Sequence, residues 1–119
     1  MLDLVVKNGR IVDGTGNPWF YGDVGIKDGV IIGIGRIEQE SREVIDAQGR
    51  VVSPGFIDGH THSDLTILDN PYSEIKLQQG VTTSVVGNCG LAPTPFSEEN
   101  RETLQSYVKP VLGTTSREW

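Results

Sequence analysis

Apolar and polar residues alternate in short runs through the first half of the chain, and glycine-containing pairs break the runs. Leu4-Val5-Val6-Lys7 and Arg10-Ile11-Val12-Asp13 are β-rich and flank Asn8-Gly9. Asn-Gly between two apolar runs predicts a hairpin, because both central positions of the favoured turn need positive φ. Asp23-Val24-Gly25-Ile26-Lys27 alternates as a half-buried strand does. Asp28-Gly29 predicts a second hairpin, with Val30–Gly35 as the return strand. Glu43–Asp46 reads as a further short strand before Gln48-Gly49. Residues 1–53 therefore read as a β-sandwich or barrel portion without a helix.

After Pro54 the pattern changes. Gly55–Asp58 is a short apolar strand running into Gly59-His60-Thr61-His62-Ser63-Asp64. Asn70-Pro71 predicts a helix start, Tyr72–Gln79 the helix and Gly80 its C-terminal stop. Val81–Val86 is β-branched enough for a buried parallel strand. Ser97 is placed to cap a last helix running to about Val108, with Glu98 and Glu99 in its first turn. Residues 54–119 thus read as β-loop-α-β-loop-α, the unit of a parallel sheet. Two such strands leave edges and faces uncovered, so the chain is expected to be the front of a longer protein, and its open edges predict self-association.

Composition narrows the partners. The 119 residues carry 10 Lys+Arg against 16 Asp+Glu, a net charge of −6. That balance argues against nucleic acid, whose phosphates call for a basic surface. Apolar runs such as Val30-Ile31-Ile32 are far too short for a membrane span. Met1–Leu4 has an acid and no basic residue, which predicts a cytoplasmic chain without a signal peptide. The single cysteine, Cys89, excludes an internal disulfide.

The candidate chemistry sits at two strand ends. His60 and His62, the only histidines, are two residues apart. In extended backbone they share a face, with Cα atoms roughly 6.6 Å apart. Cys89 follows the next strand, and neighbouring strands lie about 4.8 Å apart, so its sulfur can approach both imidazoles. Nitrogen and sulfur donors suit Zn²⁺ and not Mg²⁺ or Ca²⁺. Each residue also has a plainer reading. His-x-His occurs by chance, and Cys89 alone fits a small buried hydrophobe. Asp64 fits a turn cap or a hydrogen-bond partner that orients a histidine. Asp58 fits a structural hydrogen-bonder, and Asn88 and Gly90 fit turn residues; Asn88 is also a candidate support beside the donors.

Val52–Asp64, with Pro54-Gly55-Phe56-Ile57-Asp58-Gly59-His60-Thr61-His62 at its centre, resembles the first-strand signature of the amidohydrolase superfamily. Gly80–Gly90, ending Gly87-Asn88-Cys89-Gly90, resembles the N-acyl-D-amino-acid deacylase (D-aminoacylase) branch. Leu4–Gly14 is similar to the small N-terminal β-domain of the superfamily. The resemblance implies a β-sandwich portion followed by the first βα units of an α/β, TIM-like (β/α)₈ hydrolase barrel, both incomplete. It implies that His60, His62 and Cys89 hold one or two Zn²⁺. It places two further histidine ligands and the general-base aspartate beyond residue 119, so no catalytic base is expected in this chain, which alone should be inactive. The implied reaction is hydrolysis of an N-acyl-D-amino acid to a carboxylate and the D-amino acid. Two rivals stay open: a cyclic-amide hydrolase of dihydroorotase or hydantoinase type, and a non-catalytic scaffold of the same fold.

Overall fold

The computed structural model describes residues 1–116. The chain folds as two units, Met1–Pro54 and Gly55–Trp119.

The first unit is a five-stranded sheet built from β1 (Leu2–Ile11), β2 (Phe20–Lys27), β3 (Val30–Gly35), β4 (Ser41–Asp46) and β5 (Val51–Val52). The order is β3-β2-β1-β4, and β5 also pairs with β1. β1–β2 and β2–β3 are antiparallel, whereas β4 and β5 run parallel to β1. Leu2, Val5, Ile11, Val24 and Ala47 are the buried apolar residues of this unit.

The two glycine pairs behave differently. At Asp28-Gly29 both residues take positive φ (51° and 75°), and the chain reverses from β2 into β3 as expected. At Asn8-Gly9 only Asn8 does, with φ of 58°. The predicted hairpin is therefore absent: β1 runs straight through, and the pair is an irregularity in its register with β2 between Val6 and Gly9. The strand cannot reverse there because it is paired on both sides. Asn8 is held by its backbone N–H to Asp23 Oδ1 (2.9 Å) and its amide to Asp46 Oδ1 (3.0 Å). Gly9 is required by packing, since a Cβ there would lie 2.7 Å from Val52 Cγ2.

The second unit contains β6 (Phe56–Asp58), α1 (Thr66–Asp69), α2 (Glu74–Gln78), β7 (Val81–Ser84), a 3₁₀ turn at Asn88–Gly90 and α3 (Arg101–Leu112). β6 and β7 are parallel neighbours, as the pattern predicts. Leu65, Val108 and Leu112 form the buried cluster, with Leu91 and Leu104 packed against it. Leu104, Val108 and Leu112 recur every fourth residue and so line one face of α3.

Several boundaries differ from expectation. β7 ends at Ser84, not Val86. α1 falls in what reads as loop, and α2 starts at Glu74 rather than Tyr72. Asn70 builds a turn in place of a cap: its Oδ1 accepts from Ser73 N and its amide donates to Glu74 Oε2. α3 begins at Arg101 because Asn100 Oδ1 accepts from Ser97 N, which folds Ser97–Asn100 into a turn before the helix. It continues past Pro110 to Leu112, whose near-complete burial outweighs the hydrogen bond that proline removes. Gly80 closes α2 in the left-handed region, as read.

Candidate metal centre

The donors sit where β6 and β7 end. Past Asp58 the pairing of the two strands persists for a few residues, with Val85 N donating to Asp58 O (2.8 Å) and Thr61 N to Val85 O (3.3 Å). Asp58 Oδ1 accepts from His60 N (3.2 Å), a side-chain turn that bends the backbone out of the strand. On the other side, Gly87, Cys89 and Gly90 all take left-handed φ (78°, 57° and 70°) and fold the chain back over the end of β7. Cys89 is the one residue of the three that carries a side chain, so its conformation is strained.

Three contacts hold this turn. Asp64, nearly buried, accepts from Gly87 N through Oδ1 at 2.8 Å. The Asn88 amide donates to Val85 O (2.8 Å) and Thr61 O (3.3 Å), spanning both strand ends. Leu65, next to Asp64, is anchored in the core cluster against α3. Asp64 therefore acts on the cysteine loop, and Asn88 is both a turn residue and a brace.

Together these elements bring His60, His62 and Cys89 to one point. Each offers a ligand atom, and the three atoms lie within 4.8 Å of one another. Cys89 Sγ is 3.3 Å from His60 Nε2. The two imidazole rings stand edge to face, with centroids 5.5 Å apart and planes at 78°. Cys89 is exposed, so the reading of it as a buried hydrophobe is set aside.

The donor set fits zinc. Zn–N and Zn–S bonds of about 2.0–2.3 Å in a tetrahedron put two donors roughly 3.5 Å apart, close to the sulfur–nitrogen distance found. His62 Nδ1 is buried and without a hydrogen-bond partner among the described residues. Leaving a ring nitrogen so costs about 1–3 kcal/mol, which a ligand to the ring would offset.

Lys76 joins the site from α2. Its ammonium donates to Asp58 Oδ2 (3.0 Å), Thr61 Oγ1 (2.7 Å) and Ser84 Oγ (3.0 Å). The hydrogen bond from Lys76, and then that from His60 N–H, hold the Asp58 carboxyl below the usual aspartate range. Nothing in the hydrophobic pattern marks Lys76. The signal is electrostatic: it is the single Lys or Arg between residues 51 and 100, a stretch with six carboxylates.

Residues 43–109 match the amidohydrolase family model. The chain is 45% identical over 95 residues to N-acyl-D-glutamate deacylase of Alcaligenes xylosoxydans xylosoxydans, covering 79% of this chain and 20% of that protein. It is 44% identical over 84 residues to adenine deaminase of Bacillus subtilis, covering 70% of this chain and 14% of that protein. Its fold matches the crystal structure of N-acyl-D-glutamate deacylase from Bordetella bronchiseptica, complexed with zinc and a phosphonate mimic of the tetrahedral intermediate. That match has a TM-score of 0.73 and 46% identity, and covers 80% of this chain and 21% of that one. The chain thus spans about a fifth or less of the length of these proteins.

Proposed function

The chain belongs to the amidohydrolase family, and from that premise we propose that the whole protein hydrolyses the amide bond of N-acyl-D-amino acids, with His60, His62 and Cys89 as zinc ligands. On this reading residues 1–53 are part of a small β-sandwich, and residues 54–119 are the first two βα units of a (β/α)₈ barrel. The convergence of two imidazoles and a sulfur at parallel strand ends is the observation that carries it. Parallel α/β folds place their sites at the carboxyl ends of strands, where all three donors lie.

His60, His62 and Cys89 would hold one or two zinc ions, and the bound metal would supply Lewis acidity toward the scissile carbonyl and water. The chain's own residues do the rest of what this segment contributes. His60 Nε2 meets Cys89 Sγ across the strand ends, Asp58 turns the backbone that carries His60, and Asp64 and Asn88 keep the cysteine loop folded over. The general base and the remaining ligands are expected further along the protein, and the 119-residue chain is expected to turn over no substrate by itself.

The experiment is zinc titration of the chain, with His60→Ala and Cys89→Ser alongside, and turnover of N-acetyl-D-glutamate by the whole protein. Zinc bound by the parent chain and lost in both variants, with hydrolysis in the whole protein, is the expected result. No zinc bound by the unsubstituted chain overturns the ligand assignment. The adenine deaminase relative favours a second reading, hydrolytic deamination of a purine on the same frame. Ammonia release from adenine, with no cleavage of the acyl amino acid, would decide for it.

A further inference from the structure

We propose that Lys76 is a positioning residue for the donor set, fastening the two strand ends that carry it; this rests on the zinc reading above. A lysine ammonium has three N–H donors. All three are used here, on Asp58 Oδ2, Thr61 Oγ1 and Ser84 Oγ, at 3.0, 2.7 and 3.0 Å. The side chain is only 23% exposed, so water competes weakly for those bonds. Asp58 ends β6 two residues before His60, Thr61 lies between the two histidines, and Ser84 ends β7 before the loop of Cys89. One cation therefore holds both donor-bearing segments.

The backbone bonds between the strand ends, which run as far as Thr61 N to Val85 O, set their spacing but fix no side chain. The ammonium bond to Thr61 Oγ1 does. Because Thr61 Oγ1 accepts from the ammonium, its own proton is free for Ser63 Oγ, 2.9 Å away. Thr61 and Ser63 are the chain neighbours of His62, so the network starting at Lys76 ties down the segment on either side of that residue. Charge-assisted hydrogen bonds are about twice as strong as neutral ones, so this network outweighs the neutral amide of Asn88 as the tie between the two ends.

Co²⁺ bound to the full chain gives the test, since its thiolate charge-transfer band reports the bond to Cys89. Zn²⁺ affinity follows from competition with a chromophoric chelator. In Lys76→Met the affinity is expected to fall about tenfold, at the lower end of what supporting contacts around a metal contribute, with a weakened or shifted band. Lys76→Arg keeps the charge, but its planar fork cannot place three donors from one atom. It is expected to melt near the parent temperature and still bind roughly threefold more weakly. A merely structural lysine would lower the melting temperature and leave the band of the bound metal unchanged. Unaltered affinity and band in folded Lys76→Met overturn the proposal. Should that variant fail to fold, Ser84→Ala removes one acceptor and is expected to show a smaller change of the same sign, and no change there overturns the proposal too. Failure of the unsubstituted chain to bind either metal is a distinct result and brings down the zinc reading and this inference together.

Discussion

Cys89 combines a donor atom with an unfavourable backbone. Its left-handed φ of 57° costs a residue with a Cβ roughly 1–2 kcal/mol. Glycine avoids that penalty but loses about 0.5–1 kcal/mol in chain entropy on folding. Cys89→Gly is therefore expected to stabilise the metal-free chain by about 0.5–1 kcal/mol while abolishing zinc binding. Cys89→Ser keeps the strain and gains nothing. Urea unfolding in chelator, paired with zinc titration, separates the two effects, and equal stability of the glycine and serine variants would refute the strain argument. This is how a residue kept for its chemistry differs from one kept for the fold. The convergence of His60, His62 and Cys89 was legible because two histidines two residues apart and a cysteine after the neighbouring strand form a pattern that strand geometry brings together. Lys76 was not, because its three acceptors come from residues far apart in sequence and converge only after α2 has packed against β7.

At the scale of elements, β1 shows how two closely similar local signals yield two outcomes. Asp28-Gly29 has a free return strand to pair, whereas Asn8-Gly9 lies in a strand already flanked by β2 and by β4 with β5. Tertiary pairing overrides the turn preference, and a dipeptide does not reveal how many partners a strand has. The cost is met by Asn8, whose amide is the largest reason that the Asp46 carboxyl sits below the usual aspartate range, ahead of the Gln48 N–H. A carboxylate with a lowered folded-state pKa contributes stability that is complete above its unfolded value, near 3.9, and is lost as pH falls through the lower folded value. Asn8→Ala returns Asp46 toward its ordinary value. The stability gap between parent and variant is thus expected to be wider at about pH 6 than at about pH 2, as thermal melts at both would show. A gap independent of pH would mean that the amide does not act through Asp46. α3 makes the complementary point. Leu112 is 1% exposed and belongs to the cluster that anchors Leu65. Leu112→Ala is expected to cost about 2–5 kcal/mol by denaturant unfolding, more than the three-dimensionally similar truncation of exposed Val111. The sequence pattern carries this helix only to about Val108, and the burial of Leu112 shows why it continues through Pro110.

For the molecule as a whole, the decisive feature is apolar surface without cover. In the first unit β3 is an edge strand, and its Val30, Ile31 and Ile32 are 61%, 58% and 52% exposed. In the second, Phe56 and Ile57 stand 58% and 69% exposed on a sheet of two strands. Edges of this kind are templates for pairing, and adjoining apolar residues make the pairing favourable. The opposing term is the net charge of −6. Its reach is short, since at physiological salt charges are screened over about 8 Å. Association by edge pairing brings backbones to about 4.8 Å, inside that range, so low salt should oppose it and higher salt should favour it. The 119-residue chain is accordingly expected to self-associate at micromolar concentration, increasingly with salt, by size-exclusion chromatography with light scattering. Ile31→Lys together with Ile57→Lys places charge on both exposed sheets and should shift the chain toward monomer with its circular dichroism preserved. A parent chain that stays monomeric at high salt, or a double variant that associates as strongly, would show that these edges are not the sticky surfaces. The chain spans about a fifth of the deacylase it matches, so the same experiment on the whole protein makes the contrast. There the two substitutions should destabilise rather than solubilise, because what is exposed here would be buried against the rest of the protein.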